Sequence, residues 1–265
     1  MQEINVAGIK MAYEDRGRGP VLLLVHGVAL DHPMWQHQID DLSSQWRVIA
    51  PDLRGFGRSG VTAGEVSMEQ FADDLAELIT ALAIDKPLVL CGLSMGGYVA
   101  WQFVRKYRER LRGLILCDTK ASADTEAAAA NRRKMAAEVT ERGTKFVAES
   151  LLPKLFAPYT TEHNPEAVDY ADQAILATDP RAIAAAQLGM ANRPDVTAEL
   201  ADIDLPTLLV AGQFDEISPV DEMREIEAAL PQAELVIVPA AGHMAPLENP
   251  EVVNAALREY LAKLP

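Results

Sequence analysis

The chain has 265 residues, of which 49% are apolar and 24% charged, and it carries a net charge of −15. An acidic surface of that size repels phosphate backbones and anionic headgroups, which argues against nucleic acid and membrane partners. No apolar run reaches the ~18 residues of a membrane span, and MQEINVAGIK at the start has no basic or apolar signal region, so the expected compartment is the cytoplasm.

In chain order, EINVAGIKMAYEDRG reads as two short strands around a turn at Ala7-Gly8. PVLLLVHG (20–27) and WRVIAPD (46–52) are continuous apolar runs of the kind found in fully buried strands, with the amphipathic helix WQHQIDDLSSQ between them. A glycine-rich loop, DLRGFGRSG, leads to a helix over 67–84, with Ser67 as its N-cap and Gln70 as the capping-box partner. A strand at 88–91, a helix after Ser94 and a strand at 113–118 follow. From about Ala121 to Arg193 the pattern is helical throughout, in four stretches, with no strand-like run. Alternation then returns: PTLLVAG (206–212), a helix, AELVIVPAAGH and a last helix. Alternating strands and helices predict an α/β fold with a mostly parallel sheet and helices on both faces. The predicted organisation is a core domain of residues 1–120 and 194–265, interrupted by a helical cap at 121–193.

The two cysteines, Cys91 and Cys117, end apolar runs and read as buried reduced thiols; a disulfide stays open, because the two runs can be neighbouring strands. Metal-ligand spacings of the CxxC or HExxH kind are absent.

The informative corner is GLSMG (92–96), a G-x-S-x-G pattern after a buried strand and before a helix. Such a turn holds its serine in a strained backbone with Oγ raised above the sheet, and glycines two residues to either side avoid collisions there. The helix N-terminus that follows favours developing negative charge. A serine hydroxyl needs a base. Of the five histidines, His243 lies in a glycine-containing loop past the C-terminal end of a strand, the edge where open α/β sheets bind ligands. His32, His37 and His163 read as solvated or helix-end histidines, and His26 as a brace for its own loop. Asp215, past another strand end, is the candidate acid; Asp118 is its rival and Glu216 a weaker one. The order Ser94, Asp215, His243 favours Asp215. The oxyanion donors are expected to be the backbone N–H groups of Met95 and Val28.

With these pieces in place, VHGVALDHPMW, APDLRGFGRSG, CGLSMGGYVA, VAGQFDEISP and PAAGHMAPLENPE resemble, in order, the recurring blocks of the α/β-hydrolase superfamily, over nearly the whole chain. GLSMGG and ANRPDVTAELADIDLPTLLVAGQFD resemble the esterases and lactonases grouped with 3-oxoadipate enol-lactonase. The resemblance implies an eight-stranded sheet, a helical cap, no cofactor, Ser94 as nucleophile, His243 as base and Asp215 as acid. It implies a carboxylesterase or lactonase whose partner is a small-molecule ester or lactone. Serine at 94 excludes the dehalogenase and epoxide-hydrolase branches, which need aspartate there. Carbon–carbon bond hydrolases, perhydrolases and ligand receptors share the triad and stay open.

Substrate-binding candidates are Trp35, Leu152 and Phe156. For Trp35 a place in the core is an equal alternative. Leu151, Leu155 and Tyr159 belong to the same apolar stretch as Leu152 and Phe156, most of which a packed helix face explains. Arg132, Arg133 and Lys134 read as a solvated face, which leaves the pocket without an assigned cation and favours short, neutral esters.

Overall fold

The computed structural model describes residues 1–264. Among these residues, eight strands form one sheet: β1 (Gln2–Val6), β2 (Ile9–Arg16), β3 (Val21–Val25), β4 (Arg47–Pro51), β5 (Leu88–Leu93), β6 (Leu111–Cys117), β7 (Thr207–Gly212) and β8 (Ala233–Val238). Their order across the sheet is β1-β2-β4-β3-β5-β6-β7-β8. The β1–β2 hairpin turns at Ala7 and Gly8, both at positive φ, and β2 pairs antiparallel with β4; all pairs from β4 to β8 are parallel. The runs that lack polar/apolar alternation are the central strands, buried on both faces.

Helices α1 (Gln36–Leu42), α2 (Met68–Ala81), α3 (Met95–Tyr107), α9 (Val220–Ala229), α10 (Ala245–Glu248) and α11 (Pro250–Lys263) connect or follow the strands. Between β6 and β7 come α4 (Glu126–Arg142), α5 (Thr144–Leu155), α6 (Pro158–His163), α7 (Pro165–Ala177) and α8 (Pro180–Ala191). There are five helices here where the sequence pattern predicts four. Pro158 supplies the extra start, since its fixed φ suits the first position of a helix. Apolar side chains of this stretch, Val139, Val147, Ile175 and Ile183 among them, join the core that packs on the sheet.

Ser67 caps α2 by accepting from the Gln70 N–H at 3.1 Å, but the capping box is only half made. The Gln70 amide instead donates to Asp74, a buried carboxylate that also takes both arms of the Arg54 guanidinium. Cys91 and Cys117 are free and buried on neighbouring strands. Among the described residues, no helix is long and apolar enough to cross a membrane.

Candidate active site

β5 ends and α3 begins around Ser94, whose backbone sits at φ 53°, ψ −113°. That conformation is costly for a residue with a side chain, on the order of 1–3 kcal/mol. The surroundings enforce it. The Ser94 N–H donates to the Cys117 carbonyl at 2.9 Å, and the Thr119 hydroxyl donates to the Ser94 carbonyl at 2.8 Å. A Cβ on Gly92 would stand 2.3 Å from the Gly96 carbonyl oxygen, as a tight turn requires. A Cβ on Gly96 would meet the Val25 carbonyl of β3 at 2.3 Å, so that second glycine serves the approach of a neighbouring strand as well as the turn.

Three loops at the strand ends converge on the serine. His243 Nε2 lies 2.8 Å from Ser94 Oγ, and His243 Nδ1 lies 2.8 Å from Asp215 Oδ2. A carboxylate only accepts, so Nδ1 carries the proton and Nε2 accepts from the serine hydroxyl. The other oxygen of Asp215 accepts from the N–H groups of Ile217 (2.7 Å) and Ser218 (3.0 Å). His243 and Asp215 are both buried, whereas Ser94 is partly open to the cavity above it. The rival Asp118 does not reach the imidazole. Its carboxylate accepts from Gly212 N–H (2.7 Å) and Ala245 N–H (3.3 Å), tying the end of β7 to the start of α10. Burial, then the nearby charge of Asp215, pushes its carboxyl well above the ordinary range.

Val28 lines the cavity beside Ser94 and Met95 follows the serine as the first residue of α3; among the described residues neither backbone N–H donates to a protein acceptor. His26 braces the Val28 loop. Its Nδ1–H donates to the Gly27 carbonyl at 2.7 Å and its Nε2 accepts from the Leu53 N–H at 2.9 Å. Burial pushes this imidazole below its usual 6.5. The unfolded chain therefore takes up a proton near pH 6.5 that the folded chain refuses, and stability falls as pH drops below that value. His26→Gln is expected to flatten the decline in thermal midpoint between pH 7 and pH 5. A decline identical to wild type in a pH series of melting curves would refute this.

Of the two expected readings, solvated or helix-end, His32 takes the second: it opens a 3-10 helix over His32–Trp35 and is not solvated. It is buried, and both its backbone N–H (2.9 Å) and Nδ1 (2.7 Å) contact Asp52. Burial alone would raise the Asp52 carboxyl, but hydrogen bonds from His32 and the Arg58 N–H outweigh it and the net direction is down. His37 is exposed, and exposed His163 stacks on Tyr159.

The cavity at Ser94 holds about 80 Å³ and is lined by Val28, Leu30, Tyr98, Leu151, Leu155, Met190 and Ile217 among others. That is small beside the ~300–1,000 Å³ of drug-sized sites. None of the three residues expected to bind substrate lines it. Trp35 is wholly buried in the core, with its indole N–H unpaired among the described residues. On α5, Leu151 and Leu155 share one face by their four-residue spacing; Leu152 is turned from that face by about 100°. Phe156 follows the helix in extended backbone and lines a separate groove with Phe214.

Arg132 overturns another expectation: it lines the cavity and is not part of a solvated face. It pairs with Asp124 and reaches the Gln187 amide oxygen at 3.3 Å. Arg193 pairs with the same Asp124 and lies over the Tyr98 ring. Burial opposes ionisation of Asp124, but the two guanidinium groups prevail and its carboxyl is held below the ordinary range. Two cations thus share one anion beside the cavity. Arg133 and Lys134 are exposed as expected.

This fold and constellation define an α/β hydrolase, and residues 20–250 match the family model described as alpha/beta hydrolase fold, so the chain belongs to that family. A thermophilic esterase from Thermogutta terrifontis, solved with malate bound, is 48% identical with a TM-score of 0.97, covering 99% of each chain. The enol-lactonase from Burkholderia xenovorans LB400 is 25% identical with a TM-score of 0.92, covering 99% of this chain and 100% of that one. 3-oxoadipate enol-lactonase 2 of Acinetobacter baylyi is 25% identical over 92% of this chain and 89% of its own length. The protein is a hydrolase of the carboxylesterase/lactonase type.

Proposed function

We propose that the protein hydrolyses small carboxylic esters and lactones through an acyl-enzyme on Ser94. His243 takes the serine proton as Oγ attacks the carbonyl, and Asp215 holds the imidazole in the required tautomer and stabilises the imidazolium. The N–H groups of Val28 and Met95 bind the oxyanion, aided by the N-terminus of α3. The imidazolium gives its proton to the leaving alcohol, and water, deprotonated by the same histidine, releases the acid. The helical stretch 121–193 acts as the cap that roofs the pocket. The observation that carries this reading is the unbroken chain from Asp215 Oδ2 through His243 to Ser94 Oγ, with links of 2.8 and 2.8 Å. The 80 Å³ cavity supports short acyl groups. A panel of p-nitrophenyl esters tests it: kcat/KM should peak at acetate or propionate and fall with longer chains, and absence of turnover on all of them would refute it.

A narrower substrate class follows from Arg132. Because Arg132 and Arg193 share one carboxylate, the cavity keeps a cationic end in a chain of net charge −15. That end favours an acyl group carrying a second carboxylate or another strong acceptor, over the neutral esters that the sequence favours. Malate in the Thermogutta esterase is consistent with this. Arg132→Gln should lower kcat/KM for a p-nitrophenyl hemisuccinate by about 10- to 100-fold, the worth of a charged hydrogen bond, and leave the acetate ester within threefold. Equal losses on the two esters would remove the anion preference.

A further inference from the structure

The loop that carries His243 is held by a carboxylate that no step of the proposed chemistry uses. Glu248, in α10, points one oxygen at that loop and the other at the helical stretch between β6 and β7. Oε1 accepts from Gly242 N–H at 2.8 Å and Met244 N–H at 3.0 Å, the residues on either side of the histidine. Oε2 accepts from Ala157 N–H at 2.8 Å and the Thr160 hydroxyl at 2.6 Å. The remaining N–H of the trio, that of His243 itself, donates to the Leu155 carbonyl at 2.9 Å. Three consecutive N–H groups of the base loop are therefore fixed, directly or through one side chain, against residues 155–160. The contact is tight: a Cβ on Gly242 would stand 2.7 Å from the Ala157 nitrogen.

We infer that Glu248 is a positioning residue, which sets the imidazole of His243 over Ser94 by locking the base loop to the segment 155–160. Two consequences follow. This segment is a fixed floor for the base and not a part that swings with substrate entry. The cavity wall at Leu155 and the base move together, so a substrate pressing on that wall acts on the imidazole.

The chemistry of the clamp specifies a carboxylate. All four partners are donors, and only a group with two acceptor oxygens satisfies both sides. A glutamine keeps the length but turns an NH2 on one pair of donors. An aspartate keeps both oxygens but is one methylene too short to span the two walls.

The inference rests on His243 being the base, and the tests of the two are separable because Ser94→Ala examines the serine and base without touching the clamp. With p-nitrophenyl acetate, Glu248→Gln is expected to lower kcat by about 10- to 100-fold, as a small misplacement of a reacting group does, with KM within threefold. Glu248→Asp should not restore kcat. The downfield proton resonance of the Nδ1–H shared by His243 and Asp215 should shift or broaden in Glu248→Gln, a change that loss of stability alone does not produce in the folded fraction. Thr160→Val, which deletes one of the four bonds and leaves the base loop's own pair intact, should lower kcat two- to fivefold and carry a smaller shift of the same resonance. If Glu248→Gln folds with kcat within twofold of wild type and the resonance unmoved, the inference fails. If Glu248→Gln does not fold, Thr160→Val decides alone: unchanged kcat and resonance overturn it.

Discussion

Ser94→Ala is expected to reduce kcat on p-nitrophenyl acetate by roughly five to six orders of magnitude, the loss seen when a serine nucleophile is removed from such a unit. The polypeptide should remain folded, because nothing in the core depends on Oγ. The turn is held by backbone bonds and by the Thr119 hydroxyl, which donates to the Ser94 carbonyl. A second variant exposes what the serine costs the fold. At φ 53°, ψ −113° an alanine carries the same backbone strain as serine. Glycine does not, since it occupies positive φ without a Cβ penalty. Ser94→Gly should therefore be more stable than Ser94→Ala by about 1 kcal/mol, though equally inactive. Chemical denaturation of the two variants checks the sign. A glycine variant less stable than the alanine variant would mean that the elbow is not strained, and near-normal turnover in either would remove Ser94 from the mechanism.

Much of this arrangement is legible in the amino-acid sequence, because it depends on local rules. Apolar runs without alternation predict buried parallel strands, and the returns at 206–212 and 233–238 close the sheet as β7 and β8. Loops at the ends of parallel strands gather on one edge, so Ser94, Asp215 and His243 share a neighbourhood whatever lies between them. What was not legible depends on helix rotation and on packing between distant segments. Leu151 and Leu152 are adjacent in sequence but differ by a third of a turn, and no local signal tells which one faces the cavity. Arg132 sits in a run of three basic residues, the usual mark of a solvated face; its role is set by Asp124, Gln187 and Met190, brought to it by α8 and the loop before α4. His32 is buried only because Asp52, twenty residues on, arrives at the end of β4. Glu248 reads as an ordinary helix residue until residues 157 and 160 close over it.

The choice between Asp215 and Asp118 makes the sharpest remaining prediction, since position past a strand end does not separate them. Asp215→Asn is expected to lower kcat by about 10³- to 10⁴-fold. The reason lies in the two backbone donors on its Oδ1. Ile217 and Ser218 both present N–H groups to that oxygen, at 2.7 and 3.0 Å. An asparagine must leave its carbonyl oxygen there, which turns its NH2 toward His243. Nδ1 then has to accept, the imidazole proton moves to Nε2, and the nitrogen facing Ser94 can no longer take the serine's proton. The local folding is preserved, so the variant should melt close to wild type while losing turnover. Asp118→Asn meets a different environment. Its carboxylate accepts from Gly212 and Ala245 and has no contact with the imidazole. Burial and the charge of Asp215 both work against a charge at this position, so a neutral amide is tolerated there. The amide keeps an oxygen for the shorter bond to Gly212 and sets its NH2 against the weaker donor at Ala245. Turnover should fall less than tenfold, with a larger change in melting temperature than in kcat. Steady-state kinetics and melting curves on the pair decide the matter: if Asp118→Asn is the more damaging to kcat, the proton relay runs through the other aspartate and the assignment of Asp215 is lost.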